Sequence, residues 1–327
     1  MARTLAIVVV ASAVAACMPL CVAAQAKAAA EAKAAARIDP SWQPPMNAWG
    51  QPDLQGIWTT DDMRGIPQQR APEFGTRQHL TDEEFAARGS QREGARETQD
   101  RGAVGTFRNE EGTRTFGYTS MVIDPPDGRI PPLTPQAQQR LGGRAGGRGR
   151  GFGESRADSW LDRSFYDRCI TRGLPGSMMP AIYGNAYDIT QAPGLVAIRY
   201  EMIHETRVIR LDDSPRTGMR SHMGEARGRW EGNTLVVETT NFDPRTVYQN
   251  GSAKLTMVER YRPVTSNKIE WSVTLNDPDT WTKPWTFGMT LTADPEQPLF
   301  EYACHEGNYA MRNILSAARA EEARGGK

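Results

Sequence analysis

The sequence predicts a mainly β protein: an antiparallel meander that closes into a barrel, with long N-terminal loops before it and a helix after it. Three observations carry that expectation. From about residue 183 onward the chain breaks into short β-prone stretches separated by turn residues, at spacings near the roughly 8–12 residues usual for antiparallel barrels and sandwiches. Two stretches alternate cleanly. Ile269, Trp271, Val273 and Leu275 share one face against Glu270, Ser272 and Thr274, while Trp285, Phe287, Met289 and Leu291 share one against Thr286, Gly288 and Thr290; this is the period of a strand with one buried face. Finally, there is no βαβ alternation, no GxGxxG and no phosphate-binding loop, which disfavours a nucleotide-binding α/β fold.

In chain order, the first 24 residues read as an export signal. Arg3 supplies the positive start, "LAIVVVASAVAACMPLCVAA" the apolar region, and Val22-Ala23-Ala24 the cleavage site. The protein is therefore expected in the periplasm or outside the cell. An alternative processing site, "VAAC" at 14–17, would leave Cys17 lipidated. No other segment approaches the roughly 20 apolar residues that span a bilayer. Residues 25–48 pass from an Ala/Lys tract into Pro-rich sequence and read as a flexible leader, leaving 49–327 as a single domain.

Within that domain "PDLQGIWTT" offers a first strand around Gly56-Ile57-Trp58. Residues 61 to about 160 show little periodicity, except a helix over 80–96 with Thr81 as N-cap and a strand–turn–return unit in "SMVIDPPDGRIPPLT" at 120–134. "GGRAGGRGRGFG" at 142–153 reads as a flexible loop. An RNA-binding reading of that tract fails on charge, because Lys+Arg and Asp+Glu balance at 39 each. The strand candidates then follow from "AYDIT" to "PWTFGMTLT". A meander with short turns has two exposed edges, and closing it removes both, which favours a barrel over a sandwich. "NYAMRNILSAARAEEAR" ends the chain as a helix, with Asn308 as its N-cap and Met311, Ile314 and Leu315 as its apolar stripe.

The strings "PDLQGIW", "RCITRGLP", "ARGRWEGNTLVVETTNF", "DPDTWTKPWT" and "FEYACHEGNYAMRNIL" resemble those of a large family of uncharacterised secreted bacterial proteins, from about residue 50 to the C-terminus. The resemblance implies export and a β-rich fold and carries over no catalytic residue. Gly56-Ile57-Trp58 is also similar to the G-x-W signature of lipocalins, which agrees with a closed meander.

Chemistry-bearing residues are few. Removing the signal also removes Cys17 and Cys21, so Cys169 and Cys304 are expected to pair in an oxidising compartment; two unpaired thiols are the alternative. The bond would bring His305 and Glu306 beside Arg168, Thr171 and Arg172. His305 would then act as base, Glu306 as its orienter and Arg172 as an anion clamp near the start of the last helix. The bland alternative is an ordinary Glu306–Arg172 ion pair with His305 on a backbone carbonyl.

"SHMGEARGRWEG" supplies a second acid–base candidate in His222 and Glu225, with Arg227 nearby and Trp230 as an aromatic wall; alternatively its glycines only serve a turn. Tyr183, Asn185, Tyr187, His204 and Trp281 complete the candidate ligand-binding set, against a core role for the tyrosines and tryptophans. Glu238 and Glu259 lie in otherwise apolar strands and would need a partner if buried, with Arg207 or Arg260 available.

Neither "HEGNY" nor "HETRV" completes HExxH, and G-x-S-x-G is absent. A dispersed metal site from His204, His222, His305 and Glu225 is the alternative to an expectation of no metal and no cofactor. The sequence thus points to an exported barrel that binds a small apolar or aromatic molecule and acts on it by cofactor-independent acid–base chemistry, as a lyase, isomerase or hydrolase. A non-enzymatic lipocalin-like carrier is the alternative. A surface interaction module is a third class, and nucleic acid is not an expected partner.

Overall fold

The fold was analysed in a computed structural model that describes residues 39, 41–88, 117–142, 157–181, 183–296 and 299–325. Residues 1–24, expected as an export signal, and the Gly/Arg tract from 143 to 153 lie outside the described residues. Nine strands close into a barrel: β1 (Gly56–Thr59), β3 (Ala186–Ala192), β4 (Leu195–Tyr200), β5 (Thr206–Arg210), β6 (Glu225–Glu231), β7 (Thr234–Thr240), β8 (Thr256–Thr265), β9 (Lys268–Asn276) and β10 (Trp285–Ala293). β1 closes the ring by pairing with both β3 and β10. A tenth strand, β2 (Val122–Asp124), takes the part of the β10 edge that β1 leaves free.

One pair departs from a pure antiparallel meander. β5 and β6 run parallel, joined through Arg210 and Arg227. Parallel neighbours need a crossover, and residues 211–224 supply it by carrying the chain from one end of the barrel back to the other. The return strand expected after β2 also does not form. Gly128 turns the chain at φ 68°, and the backbone beyond it bonds to other segments: the Gly128 carbonyl accepts from Arg70 N, and Ile130 N donates to the Gln69 side chain.

Period two decides which side chains fill the barrel. The inward residues of β9 and β10, from Ile269 to Leu275 and from Trp285 to Leu291, are all at most 2% exposed. Trp271 packs edge-on to Phe287 at 5.9 Å and is tilted to Tyr261 at 6.0 Å. β3–β4, β6–β7 and β8–β9 are joined by two-residue turns at one end. The longer connections 201–205, 241–255 and 277–284 gather at the opposite end, here termed the mouth.

The segment before β3 plugs that mouth. Leu174 and Met178 are at most 1% exposed, the Met178 carbonyl accepts from Thr60 Oγ1 at 3.5 Å, and its Sδ lies 3.5 Å from the Tyr261 hydroxyl oxygen. Helix α1, over 82–88, carries the expected Thr81 cap, reciprocated by Glu84. Residues 41–48 hold to the domain through Asp53 N on the Pro45 carbonyl and Asn233 Nδ2 on Gln43. Helix α2 (Pro135–Gly142) precedes the plug segment in the chain, and α3 (Ala310–Ala323) ends the described chain with Met311, Ile314 and Leu315 half-buried. Among the described residues no helix is long and apolar enough to cross a membrane.

Candidate functional site

The Cys169–Cys304 disulfide forms, with Cα atoms 5.7 Å apart, and it ties the C-terminal segment to the plug at the mouth. The groups it brings inward are not the expected ones. The backbone turns at Ala303–Glu306, where Glu306 N donates to the Ala303 carbonyl, and Gly307 continues at φ 65°. That places His305 and Glu306 at an exposed apex, and no described hydrogen bond or ion pair joins either to Arg172. Asn308 and Tyr302 face the plug in their stead: Asn308 Nδ2 reaches Cys169 Sγ at 3.2 Å, and the Tyr302 ring lies 6.2 Å from Tyr183.

Arg172 is the centre of this cluster. Its guanidinium sits over the Tyr166 ring at 5.5 Å and is felt electrostatically by Tyr166, Tyr183 and Tyr187. A hydrogen bond to Tyr302, with burial, pushes Tyr183 up to about 12. Burial raises Tyr166 as well, with Arg172 and a hydrogen bond to Tyr302 pulling the other way. The nearby acid does not neutralise the arginine side chain. Glu205, raised by burial, accepts from Thr171 Oγ1 at 2.7 Å and from the Arg172 backbone N–H. Among the described residues no carboxylate pairs with the Arg172 guanidinium, and its Nη1 is buried without a hydrogen-bond partner.

Beside the plug, His222 Nδ1 lies 3.7 Å from Asp243 Oδ2 and 3.4 Å from Thr246 Oγ1, with the Phe165 ring at 4.9 Å. Asp243 is held down to about 2, first by Arg245, whose guanidinium grips both its oxygens. Glu225, expected as the partner of His222, is engaged elsewhere: it accepts from Thr217 N, Gly218 N, Asn241 Nδ2 and Arg227, and these bonds hold it down to about 2. A carboxylate so fully bonded is a structural anchor for the 217–218 loop and a weak base.

No family model, curated protein or solved structure matches the chain.

The remaining candidates divide by burial. Asn185 is fully buried and holds the start of β3, donating to Asp61 and the Ala181 carbonyl while accepting from Ala181 N. Tyr187 is also buried, its hydroxyl 2.8 Å from Thr60 Oγ1. Trp281 is 4% exposed and packs edge-on to Trp285 at 5.5 Å, a core contact. Trp230 is half-buried on β6. His204 is exposed, with Nδ1 3.3 Å from the Tyr302 carbonyl, which makes it a strut for the C-terminal segment. Among the described residues no group of three or more His, Cys, Asp or Glu side chains is placed to hold a metal ion.

The barrel interior carries a second polar cluster. Arg207, 2% exposed at its side chain, meets the fully buried Glu259 at 2.5 Å; Tyr261 Oη and Trp271 Nε1 donate to the other carboxylate oxygen at 2.8 and 3.3 Å. Burial opposes the guanidinium charge, but Glu259 outweighs it and Arg207 is raised. Glu238, the other strand acid, faces outward and pairs with Arg216 at 2.9 Å.

Tyr166, Tyr302 and Asp243 are contributors that sequence reasoning passed over. Tyr302 stands two residues from Cys304, and Asp243 opens an Asp-Pro turn. Spacing to the disulfide could have marked Tyr302, but only the turn geometry shows that it faces inward while His305 does not.

Proposed function

We propose that the chain is an exported small-molecule-binding barrel whose mouth holds an apolar or aromatic molecule through an anionic group, most simply a carboxylate. One observation carries this reading: Arg172 is a cation whose Nη1 is buried without a partner and which no described carboxylate neutralises. A buried guanidinium nitrogen without an acceptor is costly, and a carboxylate or phosphate meets its planar donors well. The rings of Tyr166, Tyr183 and Tyr302 offer aromatic surface around it. The disulfide that positions these groups fits an oxidising compartment.

The test is equilibrium dialysis with benzoate as probe. Wild-type protein should bind it, and Arg172→Ala should weaken binding by about tenfold or more, since a charge-assisted hydrogen bond contributes roughly 1.5–3 kcal/mol. Equal affinity in the variant would sink the mouth site. Native mass spectrometry on protein from its own host separates a carrier, which retains its ligand, from an enzyme, which releases product.

A second reading, acid–base turnover of the held molecule, is favoured by His222, whose Nδ1 faces Asp243 and Thr246. Asp243 would fix the imidazole orientation as a positioning residue. Under this reading His222→Ala abolishes turnover of the host-derived ligand while leaving its binding intact. Equal turnover in that variant excludes it.

A further inference from the structure

Among the described residues, three buried donor groups around one guanidinium inside the barrel have no hydrogen-bond partner: Arg207 Nε, Arg207 Nη1 and the Tyr200 hydroxyl. Tyr200 is 0% exposed and stands against the Arg207 guanidinium without an aligned hydrogen bond to it. Arg207 Nη2 is fully engaged, donating to Glu259 Oε2 and Thr239 Oγ1, both at 2.5 Å. Buried polar groups in folded proteins are almost always bonded, so donors left over around one guanidinium ask for an acceptor.

Charge decides which acceptor. Among the described residues the mouth arginine has no carboxylate partner, but Arg207 already has Glu259 at contact distance, so the interior cluster is neutral as a whole. A bound anion would add an uncompensated charge to a fully buried site. A neutral oxygen would not. The neighbours are apolar or aromatic: the Tyr187 ring lies 5.9 Å from Tyr200, and the plug's Met178 Sδ lies 3.5 Å from the Tyr261 hydroxyl oxygen. Met178 comes from the plug and not from a strand, and an unbranched thioether re-packs easily.

We infer that the barrel interior is a second, separate binding site, in which Arg207 and Tyr200 hold the neutral carbonyl or hydroxyl oxygen of a small apolar molecule that takes the space of the Met178 side chain. The inference stands independently of the anion site at Arg172. The plug supplies the adaptable wall, and the Arg207–Glu259 pair presents donors without presenting net charge.

The experiment compares three probes of similar size by titration calorimetry: acetophenone with a neutral carbonyl, ethylbenzene with no strong acceptor, and benzoate with a charge. Acetophenone should bind at least about tenfold more tightly than ethylbenzene, the scale of one satisfied buried hydrogen bond. Tyr200→Phe should remove most of that preference, Met178→Ala should strengthen binding of both neutral probes, and Arg172→Ala should change neither. Arg207→Lys, which keeps the charge but loses the Nε and Nη donors, should also reduce the preference and guards against misreading a folding defect in one variant. Absence of saturable acetophenone binding, equal affinity for ethylbenzene, or a preference untouched by Tyr200→Phe would each overturn the site. So would a high-resolution structure in saturating acetophenone with only ordered water on the Arg207 and Tyr200 donors. Loss of benzoate binding on Arg172→Ala with acetophenone unaffected keeps the two sites distinct, and either can fail without the other.

Discussion

Arg207 on β5 and Glu259 on β8 meet across the barrel interior at 2.5 Å, their side chains 2% and 0% exposed. They lie on strands that are not neighbours in the sheet, so the pair spans the lumen and does not merely run along its wall. Tyr261, Trp271 and Thr239 complete a hydrogen-bonded cluster around it. Such a pair is weak support for stability by itself, because desolvating two charges offsets much of their attraction.

Removing one partner is therefore more damaging than removing both. Arg207→Met should destabilise the fold by about 3–5 kcal/mol, because Glu259 would be left charged and buried, while the double variant Arg207→Met/Glu259→Leu should recover most of the loss. Urea unfolding midpoints of the three proteins check this. A double variant as unstable as the single one would show that the pair, and not the orphaned charge, holds the barrel.

The disulfide closes a long loop, its cysteines 135 residues apart. On the chain-entropy account, its removal by Cys169→Ser/Cys304→Ser should cost up to about 5 kcal/mol. The C-terminal segment should also become the first site of proteolysis, since α3 buries no residue fully and the disulfide anchors the segment before it. Limited proteolysis with and without reductant, followed by mass analysis, reads both the order and the site of cleavage.

Acid should unfold the mouth first. Asp243 and Glu225 are both held down to about 2 from ordinary values of 3.8 and 4.5, chiefly by hydrogen bonds from Arg245 and Thr217 respectively. A depressed folded value means that their stabilisation is complete above the ordinary values and is lost as the pH falls towards 2. Glu201 and Glu205 act in the opposite sense, because burial raises both and their contribution is lost as the pH rises. Wild-type stability should decline between about pH 4.5 and 2, and Asp243→Asn/Glu225→Gln should flatten that decline. Denaturation midpoints across that range provide the comparison.

Gly224 tests the turn that leads into β6. It sits at φ +67°, and a Cβ there would stand 2.7 Å from the Thr240 carbonyl and 2.9 Å from the Phe242 ring. Backbone on one side leaves no room to yield. Gly224→Ala should destabilise by about 1–3 kcal/mol, whereas Gly232→Ala, with φ +57° but no atom within 4 Å, should cost less. Equal melting temperatures for the two variants would refute the steric argument.

Much of the fold was legible because a half-buried strand writes its two faces into alternate residues. Trp271 and Phe287 could be assigned to the interior before any coordinate was known, and Arg207 could be named as a partner for Glu259 because an acid on an apolar strand face requires one. The parallel β5–β6 pair was not legible. Nothing in the composition of residues 211–224 distinguishes a crossover running the length of the barrel from a loop that turns back at one end.

The candidate site was legible only in part, for the same reason. Cysteine count and the expectation of export sufficed to pair Cys169 with Cys304, since two thiols left alone in an oxidising compartment tend to bond. That bond fixes two Cα atoms and leaves side-chain direction open. A four-residue turn then sent His305 and Glu306 to solvent, and placed Tyr302 beside Tyr183 and Arg172 among the phenols. Periodicity and cysteine count are properties of the chain read locally, and they were enough for the β class, the inward faces and the covalent link. The neighbours of each charged group depend on where separate segments come to rest against one another, and only the closed barrel decided that, among the described residues, Arg172 would lack a carboxylate and Arg207 would have one.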